Sequence, residues 1–452
     1  MLREVFRPIR TAQVLTQRLD ASDSLRKALP VAALFIGAIW AVSLGFQLGV
    51  QEGGDTQNYI RSARLLSARG LSAQSLFGGG SLGNLLYHMT HFWIFLLGND
   101  GFVAFAAALT ALVPFFVVKI LQHNAVHTLI VLVALFYVAV NREIYSWAFY
   151  VLGAALLHPH IVLFLYLITF RRYSWYHLSV IPIVWYSTLF MRATAIILIP
   201  ATIIFATLGE HPKKKYFLFG LMVATLVFIL AFTLRSPLTP SHPAQSPARQ
   251  PADIEPRGGQ ISDRGQYAIF GNVLTIARKH FVAGELLNDP TMTEYLSVPF
   301  TKEEAEGKSL GELCRSHKGY CGHYFFRKAL AFFLPVFPKF STKHKIFNGL
   351  YFGSMLLLSA VGFIWLFAAT ARAGWRSLLQ ERREHFATYL LCGLLLPLAA
   401  TMHLLSAVDP DAQYVMTWTP AWILFNAFQL NFLLELSRES RKTQAAAASL
   451  KA

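Results

Sequence analysis

The chain has 452 residues, 55% of them hydrophobic and 14% charged, with 40 lysines and arginines against 24 acids for a net charge of +16. A soluble domain carries about 25% charged residues, so this chain lacks the polar surface to coat a globule in water. Soluble enzyme, secreted domain and disordered protein are excluded together. What remains is an all-α polytopic membrane protein, its basic residues lying between apolar spans as topogenic charge rather than on a nucleic-acid-binding face.

In chain order, Arg3, Arg7, Arg10, Arg18, Arg26 and Lys27 come before any apolar run. This stretch is too long and mixed for the start of a cleaved signal, and residues 1–29 read as a cytoplasmic interfacial segment. Apolar windows predict ten spanning helices, at 30–50, 101–121, 125–140, 148–170, 178–191, 194–208, 216–235, 347–370, 387–406 and 414–435. Residues 85–98 are apolar but short, which predicts a re-entrant or interfacial helix.

Threading these spans from a cytoplasmic N-terminus collects the short basic loops on one side: Gln122–Asn124, Arg171-Arg172, His211–Lys215, Arg372–Glu384 and the tail from Ser437. That satisfies the positive-inside rule with both termini cytoplasmic. The opposite side receives 51–100, the turns at Asn141 and Arg192, the long loop 236–346 and the turn before the last span. The resulting organisation is an N-terminal membrane module 30–235 with a first outer loop 51–100, a large outer loop 236–346, C-terminal spans 347–436 and a cytoplasmic tail 437–452. The large loop opens with a Pro-, Ser- and Gln-rich stretch and continues through a basic-aromatic run, His323 to Lys345, expected to lie along the membrane surface. Cys314 and Cys321, with no zinc-spaced partners nearby, predict a disulfide if the loop faces an oxidising compartment.

No predicted span has an acid near its centre, which counts against an ion-coupled transporter. Acids stand instead just beyond helix ends on the outer side: Asp55, Glu143, Asp409 and Asp411. Asp55, in Gly53-Gly54-Asp55-Thr56-Gln57-Asn58-Tyr59, suits a helix N-cap that shares a face with Tyr59, or a general base beside Arg61 and Arg64. Arg192 sits between two short apolar spans, where a guanidinium is costly without an anion. His88 and His91 are three apart, and His158 and His160 flank Pro159. A metal needs a third ligand that the spacing does not supply. The Gly78-Gly79-Gly80 stretch lacks the Lys-Ser/Thr of a phosphate cradle.

The order of these signals resembles the GT-C superfamily of integral-membrane glycosyltransferases. The resemblance rests on the first-loop Asp55 with Tyr59, Leu96-Leu97-Gly98 after a juxtamembrane helix, Glu143 in the second outer loop, Met191-Arg192, and the late turn Asp409-Pro410-Asp411-Ala412-Gln413-Tyr414. It implies a GT-C-like bundle of about ten transmembrane helices with an active site on the periplasmic face of a bacterial inner membrane. The implied reaction is inverting transfer from a polyprenyl-phosphate-linked sugar donor to a glycan or lipid-linked acceptor, with membrane lipid as surroundings. Asp55 carries over as the catalytic base, with Glu143 as a second catalytic candidate. Arg192, Arg61, Arg64 and Arg142 are candidates for the donor phosphate, and Tyr59, His88, His91, Asp411 and Tyr414 for substrate. No cofactor is expected, with a divalent metal left open. The alternatives are a polymerase using polyprenyl-diphosphate-linked repeat units, to which Arg257, Arg264, Arg278, Lys279 and His280 of the large loop are suited, and a carrier for lipid-linked sugar.

Overall fold

A computed structural model describes residues 19–52, 56–69, 88–170, 172–209, 211–235, 269–286, 295–337, 340–373, 383–405 and 413–449. Nearly all of these are helical. Ser22 caps α1 (Asp23–Leu48) by accepting from the Leu25 N–H, and the helix stops at Gly49, whose φ of 57° is left-handed. The helix is apolar all round: Leu29, Ala33, Gly37 and Leu44 face protein, while Phe35, Ile39, Val42 and Phe46 are exposed. Such a helix suits an interface between protein and lipid. Gly37 permits the closest approach, since a Cβ there would lie 1.9 Å from the Ala111 carbonyl oxygen.

Next come α2 (Thr56–Arg69) and α3 (His88–Ala111), the latter interrupted at Gly98 by a φ of 69°. The expected short helix before the second span is therefore the first segment of a longer kinked stretch, its residues 85–87 lying outside the described set. Then follow α4 (Val113–His123) and α5 (Thr128–Val140), which meets α6 (Arg142–Ser146) at a bend of 60°. A turn of 3₁₀ helix, Trp147–Phe149, leads into α7 (Gly153–Ile168), which is almost wholly buried. The series continues through α8 (Trp175–Leu189), a 3₁₀ segment Ala193–Ile197, α9 (Leu198–Leu208) and α10 (Pro212–Arg235).

The described part of the large loop folds into α11 (Ile269–Ala283), α12 (Lys302–Ala305), α13 (Leu310–Ser316) and α14 (Lys318–Phe333). Thr301 with Glu304, and Ser309 with Glu312, form capping boxes that start two of these helices. Their small core is aromatic: Phe281 packs against Phe300, Tyr320, Tyr324 and Phe325. Cys314 and Cys321 are disulfide-bonded, joining α13 to α14. The chain closes with α15 (Thr342–Ala373), α16 (Arg383–Leu405) and α17 (Gln413–Ser449).

Helix occupies each of the ten segments expected to span. Among the described residues five stretches are long and apolar enough to cross a bilayer, at Asp23–Leu48, His88–His123, Pro212–Ala231, Thr342–Ile364 and His385–Leu404, with a sixth if the bent pair of α5 and Arg142–Phe149 counts as one span. These mark a membrane protein. The remaining helices differ for physical reasons. Both α7 and α9 are apolar but short, and α7 is enclosed by its neighbours. The first half of α17 is buried as well, yet it carries Asn426, Gln429 and Asn431. Those amides are bonded between helices: Asn426 Nδ2 donates to the Met355 carbonyl at 3.1 Å, and Asn431 Oδ1 accepts from the His127 N–H at 3.0 Å.

Loop contacts sort into two ends. At one, Gln122 donates to the Arg26 carbonyl, His127 meets Asp20, the His123 ring contacts Phe170, and Lys214 donates to the Phe170 carbonyl. At the other stand Gln51, residues 149–153, Arg192, α14 and the C-terminal turn of α16. The two ends are referred to below as the N-terminal end and the first-loop end.

Candidate functional site

The chain leaving α1 is stapled at once. The Gln51 N–H donates to the Phe149 carbonyl at 2.8 Å, and the Val151 N–H donates back to Gln51 at 3.1 Å. Thr56, fully buried, donates through Oγ1 to the Val151 carbonyl at 3.0 Å. The loop after α1 is thereby anchored on both flanks of Gly53-Gly54-Asp55, three residues that lie outside the described set. On α2, Tyr59 is buried, its ring tilted against His91 at 5.6 Å, whereas Arg61 and Arg64 are exposed.

Three elements then meet around Arg192. The Met89 N–H donates to the Phe190 carbonyl at 3.0 Å and Thr90 Oγ1 to the Met191 carbonyl at 2.8 Å, pinning the first turn of α3 to the joint between α8 and the 3₁₀ segment. Gly153, opening α7, fits against both: a Cβ there would lie 2.9 Å from Thr90 Oγ1 and 3.0 Å from the Met191 oxygen. Arg192 emerges from this junction in extended conformation and is only 6% exposed. His88 is buried on the neighbouring helical turn.

His403, in the last turn of α16, feels the charges of both Arg192 and Lys328. His403 stacks on Phe332 of α14 with ring centroids 5.2 Å apart. One turn earlier on α14, Lys328 is 1% exposed. Its Nζ donates to the Leu404 carbonyl at 3.3 Å and lies 5.4 Å from the centre of the Tyr324 ring. Burial pushes the Lys328 ammonium down to about 8, because charge is costly away from water. His280 of α11, held by Glu285 at 2.8 Å, is also lowered: burial dominates and Lys328 adds to it, against the opposing pull of Glu285.

Of the residues singled out from sequence, Arg192 and His88 are brought to one junction, and Tyr59 to His91. Arg61 and Arg64 are left on an exposed face. Glu143 is engaged by His344, with Oε1 and Nε2 3.3 Å apart, and Arg142 reaches Gln47 at 3.4 Å, on a short helix that packs against α1. Asp411 and Asp409 lie outside the described residues, as does the side chain of Tyr414. His158 contacts Thr110 Oγ1 at 3.3 Å, and His160 donates through Nδ1 to the Leu156 carbonyl at 2.7 Å. Among the described residues no three His, Cys, Asp or Glu side chains gather as a metal site.

Lys328 and His403 were not among the residues expected from sequence, whereas His280 was, with Arg278 and Lys279 of the large loop. Lys328 had a legible signal, for it lies four residues from both Tyr324 and Phe332, all three on the buried stripe of α14. A lysine on such a stripe is a charge directed inward, so α14 is not simply a helix lying on a membrane surface. His403 had no comparable signal, being one histidine in an apolar helix. Compared with known proteins, the chain matches no protein-family model, no curated protein and no solved structure.

Proposed function

We propose that the chain is a GT-C-type membrane glycosyltransferase that moves a sugar from a polyprenyl-phosphate-linked donor to a glycan or lipid-linked acceptor. The observation that carries this reading is the burial of Arg192 at the bundle end where the Asp55 loop is anchored. In the proposed reaction Asp55 takes the proton from the acceptor hydroxyl, whose oxygen bonds to the anomeric carbon as the bond from that carbon to the donor phosphate breaks. The leaving phosphate monoester gains a negative charge. A buried guanidinium beside it acts more strongly on the transition state than on the donor, which is the condition for catalysis. Glu143 is the second catalytic candidate, and His88, His91, Tyr59, Asp411 and Tyr414 remain candidates for substrate contact.

In this reading ten helices cross the membrane, both termini are cytoplasmic, and the first-loop end faces the periplasm of a bacterial inner membrane. The gathering of Arg26, Gln122, Lys214 and their neighbours at the N-terminal end supports that orientation. The polymerase reading loses some of its support because Arg278 donates to the carbonyls of Ala305 and Lys308, both at 2.6 Å, and His280 is held by Glu285.

The test is purified protein in lipid with a panel of polyprenyl-phosphate sugars, comparing wild type with Asp55→Asn. Loss of transfer by about 10²–10⁴-fold with donor binding intact supports Asp55 as base. Unchanged transfer removes that role from Asp55, and no turnover of any monophosphate donor by wild type sinks the reading itself.

A further inference from the structure

Helix α14 turns two faces to different surroundings. Tyr324, Lys328 and Phe332, spaced four apart, form its buried stripe. Phe326 stands about 200° around the helix from Lys328 and only about 3 Å away along the axis. That side chain is 65% exposed, and it shares its side of the helix with exposed Gly322 and His323 and with partly exposed Leu330 and Phe333.

The depth of this outward face is fixed by what the rest of the helix touches. Lys328 Nζ donates to the carbonyl of Leu404, the last residue of the membrane-crossing stretch His385–Leu404. Phe332 stacks on His403 in the same turn. Phe333 meets the Trp422 ring at 5.6 Å, and Trp422 in turn stacks on Phe352 of α15. The Pro335 carbonyl accepts from Asn348 Nδ2 at 2.9 Å. Asn348 and Phe352 both belong to Thr342–Ile364, another stretch suited to crossing. From Lys328 onward, therefore, α14 runs beside the ends of two spanning helices, where a side chain pointing away from the bundle meets lipid. The chain then passes into α15, whose exposed Ile346, Leu350, Leu357 and Val361 make a lipid-facing side of a spanning helix. The apolar face of α14 is continuous along the chain with that surface. Its charge fits as well: from Lys318 to Lys345 there are six lysines and arginines and no acid, with Lys318 and Lys343 exposed. A basic segment with one apolar face suits an interface of anionic headgroups.

We propose that the outward face of α14, centred on Phe326, is seated in the lipid leaflet at the first-loop end, with Lys318 and Lys343 drawing in the phosphates of anionic phospholipid. The large loop is thereby docked to the bilayer as well as to the bundle. The inference requires a membrane protein and is independent of the glycosyltransferase reading.

The experiment attaches a nitroxide to Phe326→Cys, and separately to Leu330→Cys, in the full chain in nanodiscs of phosphatidylcholine and phosphatidylglycerol. Cys392 is buried and Cys314 is bonded to Cys321, so the new thiol takes the label. Collision with oxygen, which partitions into lipid, is compared with collision with a water-soluble nickel chelate. Leu350→Cys on α15 serves as the lipid reference and Lys302→Cys on α12 as the water reference, both positions being exposed. Both α14 labels are expected to be oxygen-rich and nickel-poor, like the label on α15. Nickel access equal to that of the α12 label overturns the proposal, as does low collision with both reagents, which means that protein covers the face. Either α14 position decides the matter if the other variant fails to fold. Spin-labelled phosphatidylglycerol is expected to be retained at the protein surface in preference to spin-labelled phosphatidylcholine. Lys343→Gln should reduce that preference by up to about fivefold, and salt should weaken it further. Equal retention of the two lipids, or a preference unchanged when Lys318→Gln is combined with Lys343→Gln, overturns the anionic assignment. No readout here involves sugar transfer, so failure of the enzyme reading leaves this one standing.

Discussion

Among the described residues two lysines are buried, one at each end of the bundle, and their surroundings differ. Lys214 is 2% exposed, donates to the Phe170 carbonyl at 3.0 Å and lies 4.7 Å from the Phe205 ring. It closes the chain just beyond α7, where helix carbonyls run out of partners and a cation is favourable. Lys328 is as deeply buried and likewise meets a carbonyl and an aromatic face, yet it stands beside His403, which also feels the charge of Arg192. The N-terminal end pairs its charges locally: Asp20 accepts from the Thr128 N–H at 2.8 Å and meets His127 Nδ1 at 2.6 Å. A buried charge matched by a neighbour of opposite polarity holds structure together.

Substitutions can break or sharpen this contrast. The largest effect is expected at Arg192: Arg192→Gln should lower transfer by about 10²-fold or more while leaving the thermal midpoint nearly unchanged, as steady-state rates beside thermal unfolding would report. Equal damage to both would make Arg192 structural, like Lys214. Opening the disulfide with Cys314→Ser and Cys321→Ser should cost the large loop about 2–3 kcal/mol, seen as faster proteolysis of 295–337.

At the N-terminal end, Asp20→Asn should destabilise by about 1–3 kcal/mol and leave the rate per folded molecule unchanged. Burial alone would raise the Asp20 carboxyl, but the bonds from Thr128 and His127 outweigh it and lower it. The carboxylate's contribution is therefore present above about pH 4, its unfolded value, and is lost as pH falls through the lower folded value. Acid titration of the midpoint should show that loss in wild type and not in Asp20→Asn. The smallest effect belongs to the partly exposed Glu143–His344 pair, where His344→Ala should cost about 0–1 kcal/mol by the same thermal assay.

Much of the architecture was legible because it follows from local rules. Apolar length marks α1, α10, α15 and α16 as membrane helices, and the pair Cys314 and Cys321 pointed to their bond. The buried amides Asn426, Gln429 and Asn431 show where hydropathy falls short, since a segment bonded to other helices need not be uniformly apolar. The candidate site was half legible. Arg192 and His88 stood out because a charge or an imidazole at an apolar boundary needs a reason, and Arg61 and Arg64 stood out equally but are left exposed.

By itself, then, the amino-acid order determined that the chain is helical, that it is suited to a membrane, and that its chemistry-bearing residues sit at helix ends. Those properties arise within a turn or two of helix, through capping, propensity and burial of a continuous apolar face. Only the tertiary structure decided that His403 comes within reach of both Lys328 and Arg192 while Arg61 and Arg64 stay exposed. That meeting depends on how α14, α16 and the joint after α8 pack, and side chains brought together across such distances in sequence leave no periodic trace in any one segment.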